Sequence, residues 1–187
     1  MSGIIRCVLL LVLLLPGLPL PEARAAEALW SALREGRAVA LIRHAEAPGT
    51  GDPPAFRLGD CSTQRNLSAA GRAQAGRIGA AFRANGIPAA RMLSSGWCRS
   101  HDTATLMELG EVEIEPALNS FFGQSGRRDE QTAALAAIIR NRLAAEPAVM
   151  VTHQVNITAL TGVYPASGEM VVVARETLAV LGRIAAD

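Results

Sequence analysis

Residues 38–44 read Ala-Val-Ala-Leu-Ile-Arg-His, in which five apolar residues are followed by two basic ones. Such a run is typical of a strand that is buried on both faces in a parallel sheet. The run Ala148–Thr152 has the same character and is followed directly by His153. Because parallel strands end at one edge of their sheet, we expect Arg43, His44 and His153 to lie close together there.

The rest of the chain alternates between helical and extended patterns. Apolar spacing predicts helices over residues 27–34, 68–82, 99–109 and 129–145, and a helical turn over 155–161. Short apolar runs predict further strands over residues 91–95, 112–114, 170–174 and 177–181. This alternation predicts a single α/β domain of three layers, an α/β/α sandwich with a central, mostly parallel sheet.

The first 25 residues have the pattern of an export signal. Arg6 precedes an apolar run over residues 7–15, and Ala23-Arg24-Ala25 has the small residues of a cleavage site. The run is shorter than the ~20 residues of a transmembrane helix. We therefore expect a signal peptide over residues 1–25 and one exported domain over residues 26–187, periplasmic or secreted from a bacterium, without stable membrane insertion. An uncleaved N-terminal anchor is the alternative.

The charged residues exclude a strongly basic nucleic-acid-binding surface. The chain has 18 Lys and Arg residues, all of them Arg, against 17 acidic residues, and its formal net charge is +1. Only 4% of the residues are aromatic, which leaves few side chains on which the bases of a single strand could stack. We expect no nucleic-acid partner, and individual arginines are the candidates for binding an anion.

Two of the three cysteines, Cys61 and Cys98, lie in the predicted mature chain. Export permits oxidation, so a disulfide between them is expected, and it would tie the loop around Cys61 to the segment that follows Cys98. A zinc site is the rival interpretation. The sequence has no Cys-x-x-Cys or His-x-x-x-His pair and three histidines in all, so no metal is predicted.

Another arginine, Arg99, follows the predicted strand at residues 91–95 near the start of a helix, where anions are favoured. If the strand ends converge, two imidazoles and two guanidiniums share one pocket. Such a pocket suits a phosphoryl group, because guanidiniums hold its oxygens and a neutral imidazole can attack phosphorus in line. Residues 64–66 (Gln-Arg-Asn) are candidates for shaping the pocket entrance.

Four blocks in this order resemble the histidine phosphatase superfamily, branch 1, which includes the cofactor-dependent phosphoglycerate mutases. Residues 41–46 (Leu-Ile-Arg-His-Ala-Glu) resemble its Arg-His-Gly or Arg-His-Ala signature. Residues 66–75 are similar to its Leu-Thr-x-x-Gly-x-x-Gln-Ala segment, and residues 94–104 to its Ser-x-x-x-Arg-x-x-x-Thr-Ala segment. Residues 151–154 match its second-histidine strand. The resemblance implies the phosphoglycerate mutase-like fold and a phosphatase that needs no cofactor.

The resemblance also implies the roles of four residues. His44 would be the nucleophile that becomes a phosphohistidine, and Arg43, Arg99 and His153 would bind the phosphoryl group and stabilise its charge. Water would then attack the phosphoenzyme. The expected partner is a small phosphorylated molecule, and the expected activity is that of a histidine acid phosphatase-type phosphomonoesterase.

The general acid departs from the mutase-like pattern. Those members have a Glu after the third strand, whereas this chain has Asn119 close to that position, and an amide donates no proton as an acid. Glu46, Asp102 and Glu169 are substitute candidates. Substrate-binding roles are predicted for Asn119, Gln154, Glu46 and Glu169. The missing Glu weakens the case for mutase activity and leaves phosphatase activity open.

The sequence leaves the substrate open. An envelope phosphosugar, such as a sugar of the lipopolysaccharide core, is one alternative, and phosphohistidine is another. A phosphoramidate is a good phosphoryl donor and needs less help from an acid. A third alternative is a protein that binds a phosphorylated ligand and does not turn it over.

Overall fold

Helices cover both faces of a six-stranded sheet in the computed structural model, which describes residues 21–141 and 145–185. The α-helices of these residues are α1 (Pro21–Arg34), α2 (Ala69–Ala84), α3 (Cys98–Leu106), α4 (Arg128–Asn141) and α5 (Gln154–Thr161). The strands are β1 (Ala38–Arg43), β2 (Arg91–Ser94), β3 (Val112–Ile114), β4 (Ala148–Thr152), β5 (Met170–Ala174) and β6 (Val180–Ile184).

The strand order is β3-β2-β4-β1-β5-β6. Strands β1, β4, β2 and β3 run parallel to one another, whereas β5 runs antiparallel to both of its neighbours, β1 and β6. The predicted α/β sandwich with a mostly parallel sheet is therefore confirmed. Because the four parallel strands share one direction, their carboxyl ends and the loops that follow lie at one edge.

Strand β1 lies inside the sheet and contributes to both layers of the core. Ala38, Ala40 and Ile42 pack in the core cluster that contains α1, α2 and α3. Val39 and Leu41 pack on the opposite face against α4 and α5. All five side chains are fully buried, which explains why the run has no polar alternation. Each large aliphatic side chain buried in this way stabilises the fold by about 1.5–3 kcal/mol.

Two elements differ from their predicted bounds for reasons of backbone conformation. Helix α3 ends at Leu106, three residues before its predicted end, and Glu108 just beyond it has a left-handed backbone with φ of 54°. Strand β6 begins at Val180, three residues later than predicted, because Leu178 has φ of 63° and lengthens the turn after β5. Apolar spacing does not report such conformations.

Helix α1 begins at Pro21 and passes through Ala25, where cleavage is predicted. Residues 22–28 are exposed, whereas Trp30 and Leu33 are buried against the sheet. Cleavage after Ala25 would therefore leave the core contacts of α1 in the mature domain. The rest of the predicted signal peptide, up to residue 20, lies outside the described residues. Between residues 21 and 185, apart from the undescribed 142–144, no helix has the length and apolarity needed to cross a bilayer.

Helices α2 and α3 make a close contact at Gly79. A Cβ added at Gly79 would overlap the carbonyl oxygen of Met107, directly after α3. A Cβ added at Gly76, on the same helix, would have no atom within 4 Å. The two glycines thus differ in packing while sharing one helix.

We expect Gly79→Ala to lower the free energy of unfolding by about 1–3 kcal/mol, because the methyl group forces α2 away from the end of α3. Gly76→Ala is the matched control, and it should raise the free energy of unfolding by about 0.5–1 kcal/mol through the better helix propensity of alanine. Urea titration of both variants measures these changes. Equal effects of the two substitutions would contradict the close contact.

Candidate active site

The carboxyl ends of the parallel strands bring the four predicted residues together. His44 follows β1, and its backbone N–H donates to the carbonyl of Thr152 in β4 (2.9 Å). His153 follows β4, and the ring centroids of the two histidines are 5.4 Å apart. Arg99 lies in the first turn of α3, the helix after β2. With Arg43, these side chains line one cavity of about 410 Å³.

The hydrogen bonds of His44 define which ring nitrogen is free to react. Nδ1 lies 2.8 Å from the carbonyl oxygen of Ala45, which only accepts, so Nδ1 carries the proton and Nε2 keeps its lone pair. The ring is buried. The pKa of His44 is lowered to about 3, mainly by burial and further by the positive charges of Arg99, Arg65 and Arg43. The hydrogen bond to Ala45 acts in the opposite direction and raises the pKa. The imidazole is therefore neutral near pH 7.

His153 is a second neutral imidazole. Its Nε2 lies 2.8 Å from Ser95 Oγ, which also accepts the backbone N–H of Trp97 (3.1 Å). The Ser95 hydroxyl hydrogen can then point to Nε2, which leaves Nδ1–H as the donor of the ring. Complete burial lowers the pKa of His153 well below its ordinary value, and His44 and the nearby arginines act in the same direction.

Three guanidinium groups line the cavity, those of Arg43, Arg65 and Arg99. Burial lowers the pKa of both Arg43 and Arg65 without removing their charge near neutral pH. Arg65 Nε donates to the carbonyl of Gly51 (2.7 Å), and its Nη1 donates to that of Ala47. The sequence placed Arg65 at the entrance only, so its position as a third cationic group of the cavity is new.

Asp52 is the carboxylate among the cavity-lining residues, and sequence reasoning missed it. Its two oxygens accept Nη1 and Nη2 of Arg99 at 2.6 and 3.1 Å, and Oδ2 also accepts the indole N–H of Trp97 at 2.9 Å. Burial by itself would raise the pKa of Asp52, but the hydrogen bonds from Arg99 and Trp97 bring it below its usual value. Asp52 therefore holds the plane of the Arg99 guanidinium.

Two guanidinium nitrogens in the cavity residues have unused hydrogen-bonding capacity. The Nε atoms of Arg43 and Arg99 are buried and make no hydrogen bond in the described part of the chain. Buried N–H groups are nearly always paired, so these two N–H groups are exceptions within the site. Three cations, one carboxylate and two neutral imidazoles together favour a dianion such as a phosphoryl group.

The loop that carries Asp52 and Arg65 is fastened to the start of α3. A disulfide joins Cys61 to Cys98, with the Cα atoms 5.7 Å apart. The side-chain oxygen of Gln64 also accepts the backbone N–H of Cys98 (3.0 Å). The structure thus contains the expected cross-link, and it lies one residue from Arg99.

Of the predicted substrate-binding residues, Gln154 lines the cavity, whereas Glu46 and Glu169 lie outside it. Glu46 accepts the hydroxyl of Ser68 (2.5 Å), the residue that caps α2. Glu169 accepts Nη2 of Arg183 (2.7 Å) in β6, and this pairing lowers the pKa of Glu169. Both carboxylates are committed to structural contacts at the sheet edge, so neither is placed to contact the substrate.

Asn119 and Asp102 also lie outside the cavity. Asn119 Oδ1 accepts the backbone N–H of Gly96 (2.8 Å), and its carbonyl accepts the side-chain amide of Asn156 (2.9 Å). Asp102 forms an ion pair with Arg72 (3.1 Å) on the surface of the helices. Asn119 therefore supports the turn after β2, and the candidate acids predicted from the sequence are all directed elsewhere.

Metal ligands do not cluster in this site. In the two ranges that the structure describes, no group of three or more His, Cys, Asp or Glu side chains is arranged to hold a metal ion. The cationic groups of the cavity are those of the arginines.

Residues 39–134 match the family model of the histidine phosphatase superfamily (branch 1). This range is about half of the chain and includes Arg43, His44, Asp52 and Arg99. Among curated proteins, none matches the sequence.

Solved structures with the same fold include three phosphatases. The protein histidine phosphatase SixA, in complex with tungstate, is 16% identical and has a TM-score of 0.55 over 80% of this chain and 97% of its own. A mycobacterial glucosyl-3-phosphoglycerate phosphatase in complex with VO3 is 15% identical, with a TM-score of 0.54 over 74% of this chain and 92% of its own. Phosphoserine phosphatase from Entamoeba histolytica is 12% identical, with a TM-score of 0.59 over 79% and 96%. Because these proteins share at most 16% of their residues with this chain, the similarity establishes a shared fold alone.

The neutral histidines make stability depend on pH in a defined window. Because the pKa of His44 is about 3 in the folded chain and 6.5 is the ordinary value, the unfolded state alone binds a proton between these values. The free energy of unfolding should fall as the pH is lowered below about 6.5, approaching a slope of about 1.4 kcal/mol per pH unit for each buried histidine. The slope should level off about one pH unit above that value, where neither state binds this proton.

Chemical denaturation of the wild type and of His44→Asn between pH 6.5 and 4.5 measures this slope. The variant should show about half of the wild-type slope, because His153 remains. At lower pH, carboxylates with a lowered pKa, such as that of Glu169, also bind protons on unfolding. Their protonation lowers the free energy of unfolding as well, so the measurement stops above that range. Identical slopes for the two proteins would show that His44 is not held neutral.

Proposed function

Because the chain belongs to branch 1 of the histidine phosphatase superfamily, we propose that it is a phosphatase that hydrolyses small phosphomonoesters through a phosphohistidine on His44. One observation carries the proposal. The Nδ1 atom of His44 donates to Ala45, so the unprotonated Nε2 is the nucleophile in a cavity lined by three guanidiniums. Tungstate and VO3, bound in two proteins of the same fold, are oxyanions as well.

In the first step, Nε2 of His44 attacks phosphorus and the bond from phosphorus to the leaving oxygen breaks. The charge of the transition state is spread over the other three phosphoryl oxygens. Arg43, Arg65 and Arg99 surround these oxygens with positive charge that is already in place, so little reorganisation accompanies the reaction. The carbonyl of Ala45 stabilises the positive charge that the imidazole ring acquires.

His153 serves this step as a neutral hydrogen-bond donor. Ser95 holds its Nε2, and the Nδ1–H remains for a phosphoryl oxygen. Because burial keeps the ring neutral, His153 stabilises the transition state through a directed hydrogen bond and adds no charge.

In the second step, the oxygen of a water molecule bonds to phosphorus and the bond between phosphorus and Nε2 breaks. Both hydrogens of the water leave with the inorganic phosphate, and His44 returns to its neutral form. A loose transition state needs little help from a base. Asp52 takes no direct part in this step, because its two carboxylate oxygens already accept four hydrogen bonds, from Arg99, Trp97 and the backbone N–H of Arg65.

The absence of a free acid among the cavity residues favours good leaving groups. Asp52 is ionised and paired with Arg99, and the carboxyl groups of Glu46 and Glu169 lie outside the cavity. Phosphohistidine is therefore a second candidate substrate, since its nitrogen leaving group needs less protonation than an alkoxide. The fold is shared with SixA, a protein histidine phosphatase.

We further propose that the protein acts after export. The apolar run over residues 7–15 with its Ala-Arg-Ala site supports this, and so does the disulfide, which persists outside a reducing cytoplasm. Amino-terminal sequencing of protein recovered from a bacterial periplasm should begin at Ala26. Recovery of an uncleaved chain in the cytoplasm would refute the proposal.

His44→Ala should abolish release of phosphate from an aryl phosphate, because no other nucleophile faces the cavity at this position. After brief incubation with radiolabelled substrate and denaturation, the wild type should carry label that is lost in acid and that disappears on a chase with unlabelled substrate. His101→Ala, which changes the histidine outside the cavity, is the matched control and should keep the label. A wild-type chain that binds phosphate without label or turnover would be a binding protein and not a phosphatase.

Asp52→Asn should lower kcat about tenfold or more while the phosphohistidine still forms. The amide removes the charged pairing that orients Arg99, and a charge-assisted hydrogen bond contributes about 1.5–3 kcal/mol, or about tenfold in rate per 1.4 kcal/mol. Steady-state kinetics on the aryl phosphate separate kcat from KM. An unchanged kcat with a lower KM would mean that Asp52 competes with phosphate for Arg99 and does not position it.

A further inference from the structure

Aromatic side chains are concentrated at the mouth of the active-site cavity. The chain has two Trp, one Tyr and four Phe. Four of these seven side chains line this cavity, namely Phe56, Trp97, Phe122 and Tyr164. The proposed chemistry at phosphorus uses none of them, so they require another explanation.

The two outermost aromatic residues are exposed to solvent. Phe122 is 59% exposed and Tyr164 is 71% exposed. The aromatic residues outside the cavity are buried instead, with Trp30 and Phe82 packed edge to face in the core at 5.1 Å. Exposed apolar rings that rim a polar cavity are typical of a ligand-binding surface.

The inner pair forms a fixed wall beside the phosphoryl-binding residues. The rings of Phe56 and Trp97 are stacked, with centroids 5.1 Å apart and planes 20° apart. Trp97 also contacts His153 edge to face at 5.3 Å, and its indole N–H donates to Asp52. This wall therefore begins within contact distance of a residue that binds the phosphoryl group.

The outer pair comes from two other loops. Phe122 lies next to Gly51, because a Cβ added at Gly51 would be 3.8 Å from the ring of Phe122. Tyr164 precedes Pro165, whose carbonyl accepts Nη1 of Arg43 (3.0 Å). Four loops, after β1, β2, β3 and α5, thus bring aromatic rings to the space just outside the guanidiniums, where the leaving group of a bound phosphate ester would lie.

We propose that Phe56, Trp97, Phe122 and Tyr164 form a subsite for a ring carried by the leaving group of the substrate. The proposal rests on the proposed phosphatase function and specifies its substrate class as a phosphomonoester whose leaving group contains a ring with an apolar face. An aromatic ring stacks on such side chains, and a sugar ring packs its C–H face against them. The cavity of about 410 Å³ is within the range of small-molecule sites and exceeds the space of a phosphoryl group alone.

Esters of similar primary alcohols test the subsite without changing the chemistry at phosphorus. The probes are ethyl phosphate, 2-phenylethyl phosphate and glucose 6-phosphate. We expect kcat/KM to be about tenfold higher for at least one ring-bearing ester than for ethyl phosphate, as for one good aromatic contact. The phenyl arm identifies an aromatic ring and the glucose arm identifies a sugar ring.

Phe122→Ala and Tyr164→Ala should reduce this preference to about twofold or less and leave kcat/KM for ethyl phosphate unchanged. Both side chains are exposed, so their removal does not disturb the core. Phe122→Leu retains apolar contact without a planar ring and should recover part of the preference. Leu181→Ala is the matched control, because Leu181 is an exposed apolar residue of β6 outside the cavity and should leave all three rates unchanged.

The outcomes separate the subsite from the phosphatase function. Hydrolysis of all three esters with equal kcat/KM, or a parallel loss on every ester in the aromatic variants, would overturn the subsite and leave the phosphatase function intact. No hydrolysis of these esters or of the aryl phosphate, together with no labelled His44, would overturn the phosphatase function itself.

Discussion

The burial of Arg99 beside two other guanidiniums is the constraint on which the rest of the site depends. Arg99 is only 3% exposed, and an unpaired charge at such a position costs several kcal/mol. The carboxylate of Asp52 offsets this cost, and it neutralises only one of the three cations. The remaining positive charge attracts a phosphoryl dianion and, together with burial, keeps His44 and His153 neutral by lowering the pKa of each ring. A single ion pair thus permits both the proposed anion site and the proposed nucleophile.

Asp52 lies in the loop between β1 and α2. This loop must therefore be held in place if Asp52 is to pair with Arg99. Several positions of the sequence blocks that resemble the family help to hold it and do not take part in the chemistry. Gly71 lets α2 approach the carbonyl of Glu46 at a point where any Cβ would overlap it. Gln74 accepts the Glu46 N–H and donates to Ser167 (both 3.0 Å), and Thr103 links α3 to the end of β1 by accepting the N–H of Ala45 (3.0 Å). With the disulfide, these contacts join the loop to the helices on both sides.

The fold and half of the site could be predicted because they follow from short-range patterns. Five buried apolar residues ending in Arg43 and His44, and a similar run ending in His153, specify strands whose ends meet. Asp52 and Arg65 left no such signal, since each is placed by hydrogen bonds to residues far away in the sequence. For the same reason the acids at Glu46 and Glu169 were expected in the cavity, although partners on α2 and β6 hold them outside it. Proximity along the chain to a strand that ends at the cavity does not determine the direction of a side chain.

The protonation states of the site determine where its selectivity has to come from. His44 and His153 are neutral and have lowered pKa values, and Asp52 is an ionised carboxylate with a lowered pKa, so none of the three holds a proton that it readily gives to a leaving group. Recognition of phosphate by arginines is the same for every phosphomonoester. In the proposed phosphatase, discrimination among substrates must then depend on the leaving group, through its basicity and through its contacts with the cavity wall. The wall next to His153 is aromatic, so under the proposed function the shape and apolar surface of the leaving group are the property that this cavity is best equipped to select.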